Sequence, residues 1–293
     1  MKATAGLAIA VIASSFAFGT PVNFAAATTV ASDGKTKINL AGRQRMLSQR
    51  MAKAACFAHL EIQPADHLKM LDDAHTLFVQ TLEGLKKGDA DQGMLPENNP
   101  EIVNDLAQVA QLWAGFQAVN EDILAKKTIS DDQLSEISEI NLPVLRQMHK
   151  TVGTIEKVYG SSGEVHPALA LALNVSGRQR MLSQKASKEF CLVVAGVDVE
   201  NSRAALKDTV ELFEASLSGL INGDAAKALA PAPTPEILAQ LQLVQQMWDP
   251  LHAIFLKVVE GDDASEDEIN VIATNNNALL VEMNKAVFMY NAL

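Results

Sequence analysis

Aromatic residues make up only 5% of this 293-residue chain, cysteine occurs twice, and basic side chains are outnumbered by acidic ones, 24 to 35. Two cysteines are too few for a disulfide scaffold or a thiolate metal site, and no Cys-x-x-Cys-His is present to attach haem. The net charge of −11 disfavours nucleic acid and anionic membrane surfaces as partners. No alternating apolar pattern of useful length occurs, which argues against a sheet. Phosphate loops, serine elbows and catalytic-triad orders are also missing, so nothing asks for an enzyme or a cofactor. Six scattered histidines, at 59, 67, 75, 149, 166 and 252, have no counterparts across the repeat described below. His67 and His75, with Asp66 and Asp73, fit no common metal spacing and read as surface helix residues, so no metal site is expected.

One eight-residue string, Gly-Arg-Gln-Arg-Met-Leu-Ser-Gln, fills Gly42 to Gln49 and again Gly177 to Gln184. The offset of 135 recurs outside it: Cys56 matches Cys191, Gly84-Leu85 matches Gly219-Leu220, Pro100-Glu101-Ile102 matches Pro235-Glu236-Ile237, and Trp113 matches Trp248. The chain is a gap-free tandem duplication, and a unit of this length is a domain rather than a solenoid turn.

Residues 1–27 carry Lys2, an apolar stretch from Ala5 to Phe18 and small residues ending at Ala27, the pattern of a cleaved secretory signal peptide. No later run approaches the length of a membrane span, so the mature protein is expected to be soluble and exported to the periplasm. Each repeat reads as four amphipathic helices. In the first they run from about Thr36 to Glu61, Asp66 to Lys87, Glu101 to Lys127, and from an N-cap at Ser130 to Tyr159. Pro143 is expected to kink or split the fourth. Gly160-Ser161-Ser162-Gly163 reads as a linker, which divides the chain into units 36–160 and 166–293. The fold class is therefore all-α: two antiparallel four-helix bundles, side by side as a pseudo-dimer.

On a helix, Ile38, Ala41, Gly42, Arg45, Ser48, Gln49, Ala52 and Cys56 form one stripe, which Gly177, Arg180, Ser183, Gln184 and Cys191 repeat. The stripe is small-sided, suited to close helix approach, and it holds one guanidinium with no carboxylate within a turn. Two such helices facing each other would bring Arg45 and Arg180 together, and a small planar oxyanion between them would turn repulsion into attraction. Gly42 and Gly177 would leave it room. The other reading is a solvated face, or ion pairs with acids from the remaining helices. Cys56 and Cys191 are either a disulfide or two small buried thiols. Arg43 and Arg178 project away from the stripe and receive no ligand role.

Residues Ile38 to Met51, and again Asn174 to Lys185, resemble the opening helix of the PilJ-type domain of type IV pilus methyl-accepting chemotaxis transducers. More distantly, they are similar to the periplasmic sensor domain of nitrate/nitrite sensor histidine kinases. The resemblance implies a periplasmic sensor bundle that binds nitrate or nitrite at a dimer interface. The anion contacts would fall on Arg45, Arg180, Gly42 and Gly177, with Ser48, Gln49, Ser183 and Gln184 as secondary candidates. Such domains are usually followed by a membrane helix and a signalling module, and neither follows before Leu293. The expectation is thus a soluble oxyanion-binding sensor that hands its state to a membrane receptor or sensor kinase. The alternative is a periplasmic interaction or scaffold protein for a chemoreceptor or type IV pilus component, with no anion.

Overall fold

The computed structural model describes residues 30–293, with side chains from Asp33 onward; the expected signal peptide at 1–27 lies outside them. Eight α-helices follow one another: α1 Val30–His59, α2 Pro64–Lys87, α3 Pro100–Lys126, α4 Asp131–Ser161, α5 Pro167–Val194, α6 Val199–Asn222, α7 Pro235–Val259 and α8 Glu266–Asn291. Among the described residues there is no strand, only the isolated bridges Asp89–Met94 and Asp224–Leu229 at matching places in the two halves. Within each half, consecutive helices pack in a ring, α1–α2–α3–α4 and α5–α6–α7–α8, each closed by contact of its first and last members. The most extensive contact of the molecule joins the two rings through α1 and α5. The fold is two four-helix bundles side by side, as the duplication leads one to expect.

Local chemistry explains the ends of the helices. Ser130 and Ser265 each form a reciprocal capping box, with Gln133 and Glu268 respectively. Asn99 and Thr234 accept the free N–H groups that open α3 and α7. Gly88, at φ +84°, ends α2 where Pro96 approaches so closely that a Cβ would lie 2.8 Å from its nitrogen.

α1 is already helical at Val30, where the described residues begin, ahead of the expected Thr36, and α4 runs on through Gly160 and Ser161 into the expected linker. Lys37, 1% exposed, holds Asp33 at 3.0 Å, Glu97 at 3.1 Å and the Tyr159 hydroxyl at 2.9 Å, which ties the start of α1 to the end of α4. Pro143 does not split α4. The carbonyl it leaves without a ladder partner belongs to exposed Glu139, and Pro250 in α7 does the same to exposed Gln246, so neither loss falls on a buried residue.

His67 is no surface residue: it is 2% exposed and stacks on Phe57 with ring centroids 5.2 Å apart, because α2 folds down over the end of α1. Among the described residues no cluster of candidate metal ligands forms around it or elsewhere. The tryptophans anchor the cores, Trp113 stacked on Phe78 at 4.0 Å and Trp248 on Phe213 at 3.8 Å.

Cys56 and Cys191, both fully buried, are joined by a disulfide with Cα atoms 6.1 Å apart. Matched positions therefore sit at matched heights, and α1 and α5 run parallel and in register. Closing a loop of 135 residues removes up to about 5 kcal/mol of denatured-state entropy. Reduction should accordingly lower the urea midpoint while far-ultraviolet circular dichroism in buffer stays unchanged, since each bundle keeps its own core; loss of helicity on reduction alone would refute that independence.

Burial, then Lys53 and Arg50, hold His67 down to about 4, so the unfolded chain binds its proton more readily than the folded one. Stability should fall as pH drops from 6.5 towards 4, by about 2 kcal/mol at pH 5. His67→Ser, which installs the second repeat's residue, should flatten that part of a urea stability–pH curve; an unchanged slope would remove His67 as the cause.

Candidate anion site between the bundles

The small-sided stripes of α1 and α5 face each other, and the arginines meet there. Arg45 is 0% and Arg180 1% exposed, and neither has a carboxylate within ion-pair distance among the described residues. A Cβ built on Gly42 would lie 3.3 Å from Nη2 of Arg45 and 3.6 Å from Nη2 of Arg180. The same distances hold at Gly177 with the arginines exchanged. The two nitrogens are therefore within about 7 Å of one another, above a floor of two bare glycines. At that distance and an effective dielectric near 20, the repulsion is about 2 kcal/mol.

Neutral groups hold the guanidiniums. Arg45 donates to the Asn174 carbonyl at 3.2 Å, and its Nη1 lies 3.3 Å from Nδ1 of His149. Arg180 donates to the Asn39 carbonyl at 3.1 Å, to the Asn39 side chain at 2.9 Å and to Asn284 at 3.1 Å. Each arginine is thus tied to the other repeat's first helix as well as to its own bundle. Nε of both has no partner, and further N–H groups remain unspent. Burial first, then Arg178 and Arg180 for Arg45 and Arg43 for Arg180, lowers both to about 9, so both stay charged at neutral pH.

Other polar side chains of the octapeptide bond within the protein. Gln44 and Gln179 donate to the Phe78 and Phe213 carbonyls at 2.8 and 3.0 Å, pinning α1 to α2 and α5 to α6. Ser48 and Ser183 bond back to the Arg45 and Arg180 carbonyls, both at 2.9 Å, and do not reach the space between the guanidiniums. Gln49 donates to Asn141 at 3.0 Å and Gln184 to Asn276 at 2.6 Å. They belong to a second polar layer, nearer the disulfide, which sequence reasoning missed. In it Lys53, fully buried, donates across the interface to Asn276 and Asn277, and buried Lys188 donates to Asn141. Burial and Arg50 push Lys53 well below its ordinary range. Arg43, placed off the stripe, binds Thr81 and Gln92 of its own bundle.

Asn39 and Asn174 were also missed as arginine partners, as were Asn141 and Asn276 as partners of the buried glutamines and lysines. A signal existed, since each pair is an identical polar residue at the 135 offset.

Comparison with known proteins agrees with this architecture. The model of the family described as type IV pili methyl-accepting chemotaxis transducer N-terminal region, PilJ, matches residues 27–138 and 168–273. The methyl-accepting chemotaxis protein McpN of Pseudomonas aeruginosa is 32% identical over 120 residues, covering 41% of this chain and 22% of that protein. Protein PilJ of the same organism is 28% identical over 265 residues, 88% of this chain and 36% of that protein. The chain thus spans between about a fifth and just over a third of the length of these relatives.

Two like charges buried without a counterion cost more than they return. Arg45→Met keeps the volume and removes one charge, so the unliganded variant should unfold at an equal or higher urea concentration than the wild type. A loss of more than about 2 kcal/mol would mean that the guanidinium's bonds to Asn174 and His149 outweigh its desolvation and repulsion.

Proposed function

The chain belongs to the PilJ family of type IV pilus methyl-accepting chemotaxis transducer N-terminal domains, and from that premise we propose that it is a periplasmic sensory module, binding and relaying rather than catalysing, which acts with a chemoreceptor or type IV pilus component. Among the described residues no helix is long and apolar enough to cross a membrane, which agrees with a module outside the bilayer. The description of the family, a type IV pili chemotaxis transducer region, and the name of one relative, a methyl-accepting chemotaxis protein, support this partnership. They are silent on the ligand.

The finer reading is that the stimulus is a small planar oxyanion, nitrate or nitrite first, held between Arg45 and Arg180. One observation carries it: two buried guanidiniums, each with an unpartnered Nε, converge over two glycines, and among the described residues no acid pairs with them. A planar anion accepts two parallel N–H bonds from each fork, and a spherical or monodentate one does not. The competing reading is a partner-binding scaffold with no anion, in which the arginine layer only sets the register of α1 against α5.

Calorimetric titration with nitrate, nitrite, sulfate and acetate separates the two. The oxyanion reading expects one nitrate per chain, and a tenfold to hundredfold weaker affinity in either Arg45→Ala or Arg180→Ala, because each removes a charge-assisted fork worth about 1.5 to 3 kcal/mol. Gly42→Ala should weaken binding with the fold intact, since its methyl group would sit 3.3 Å from Nη2 of Arg45. Silence for all four anions, together with capture of a chemoreceptor or pilus component, would establish the scaffold reading. Two independent sites per chain, each lost with its own arginine, would rule out a shared anion.

A further inference from the structure

A groove of about 390 Å³ runs along one side of the bundle junction, between α1 and α2 of the first repeat and α8 of the second. Three arginines line it, Arg43, Arg50 and Arg180, against one acid, Asp73, which is itself paired with Lys69 at 2.6 Å. Asn39, Asn277 and Asn284 add amides, the remaining wall is apolar, including Leu40, Leu47, Leu77 and Leu280, and the lip carries Val281 and Phe288 of α8, 53% and 59% exposed. In a chain of net charge −11, a positively charged groove with an apolar lip selects by both properties.

The second repeat has the equivalent groove, about 270 Å³, across the pseudo-twofold axis: Leu182, Lys185, Asp208, Thr209 and Leu212 stand where Leu47, Arg50, Asp73, Ala74 and Leu77 stand in the first. There the cation at its base is already neutralised. Glu189, 2% exposed, pairs with Lys185, accepts a 2.7 Å bond from Thr209 and lies 4.0 Å from Lys188. In the first repeat the residue at Glu189's position is Ala54 and the one at Thr209's is Ala74. Both side chains that would hold a carboxylate in place are cut back, yet the cations Arg50 and Lys53 remain. Arg50 is left with one 3.3 Å bond to Asn277, and Lys53 with amide oxygens only. The lip differs in the same sense, with Arg146 and Gly153 at the positions of Val281 and Phe288.

We propose that the first-repeat groove is a second ligand site, taking a monocarboxylate with an apolar chain. The carboxylate sits on Arg50 against Ala74, in the place that Glu189 fills from within the chain in the second repeat, and the apolar chain lies along Leu77 and Leu280 to Phe288. The groove volume suits a small organic acid, and the guanidinium fork matches a carboxylate. Arg180 of the arginine pair reaches the groove wall, but the carboxylate seat is on Arg50, and the proposal does not rest on the oxyanion reading.

The test is calorimetry of the full chain with acetate, butyrate and hexanoate. Affinity is expected to rise several-fold with each two methylenes added, from the apolar surface covered. Arg50→Gln should weaken hexanoate at least tenfold, and Phe288→Ser should flatten the chain-length dependence. Ala54→Glu, which installs the second repeat's carboxylate, should abolish hexanoate binding; the surface change Phe288→Ser keeps the test alive if that buried substitution does not fold. Arg45→Ala should leave hexanoate binding unchanged. Hexanoate that binds Arg50→Gln as tightly as the wild type, or that is lost with Arg45→Ala instead, would overturn the proposal. So would silence up to millimolar hexanoate, and a concentration-dependent dimer in sedimentation that Phe288→Ser abolishes would then assign the groove to a second copy of the chain.

Discussion

Two positive charges buried at a helix–helix junction are the constraint from which the rest of this structure follows. Among the described residues neither Arg45 nor Arg180 has an acid within ion-pair distance, and the repulsion and desolvation they bring are unfavourable to folding. The junction survives because everything around them compensates. The Asn39 and Asn174 carbonyls take the guanidinium protons across the axis, and the small side chains of the stripes let α1 and α5 approach closely. A covalent bond at Cys56 and Cys191 forbids separation at one end. Eleven residues of helix, about 16 Å, lie between Arg45 and Cys56. The disulfide thus fixes register at a distance and leaves the arginine layer to be held by hydrogen bonds alone.

That arrangement explains why α1 and α5 are buried on all sides although each carries a polar stripe. An amphipathic helix normally turns its polar face to water. Here the apolar face of each packs into its own bundle and the polar face packs against its twin, so water is excluded from both. The consequence is a dry interior with two polar layers, arginine above and the lysine–glutamine–asparagine set below. In such a medium each unpaired group costs more than at the surface, and each charge-assisted bond returns more.

Much of this was legible in the sequence, because the duplication prints its own evidence. The 135-residue offset exposed the repeat, the three-four spacing of apolar residues exposed the helices, and the capping residues marked several of their starts. The meeting of Arg45 with Arg180 followed from placing identical helices across an axis. What stayed hidden were contacts that periodicity does not encode. The burial of His67 depends on α2 folding down over the end of α1, which a turn of a few residues decides. The unbroken path of α4 through Pro143 depends on which face Glu139 presents to water. Lys53 and Lys188 were passed over because a lysine on a helix is ordinarily a solvated residue, and only a second helix on its far side buries it.

The pattern of sameness and difference between the halves has a physical reading. Residues at the axis touch both repeats: Arg45 and Arg180, the two motif glycines, Lys53 with Lys188, and Asn141 with Asn276. A change at any of them must fit two environments at once, its own bundle and the other, and each is the same residue in both halves. Residues one layer out answer to a single bundle and are free to diverge. Lys37 with Asp33 and Glu97 becomes three alanines, Ala172, Ala168 and Ala232, at the offset positions. Glu189 becomes Ala54, and His149 becomes Asn284 beside the two equivalent arginines. In a homodimer built from identical chains such differences cannot arise, because one gene writes both sides. Joining the halves in one chain keeps the shared centre under a twofold constraint while releasing the flanks, so the two grooves that approach the centre from opposite sides can differ in charge and apolar surface without disturbing what lies between them.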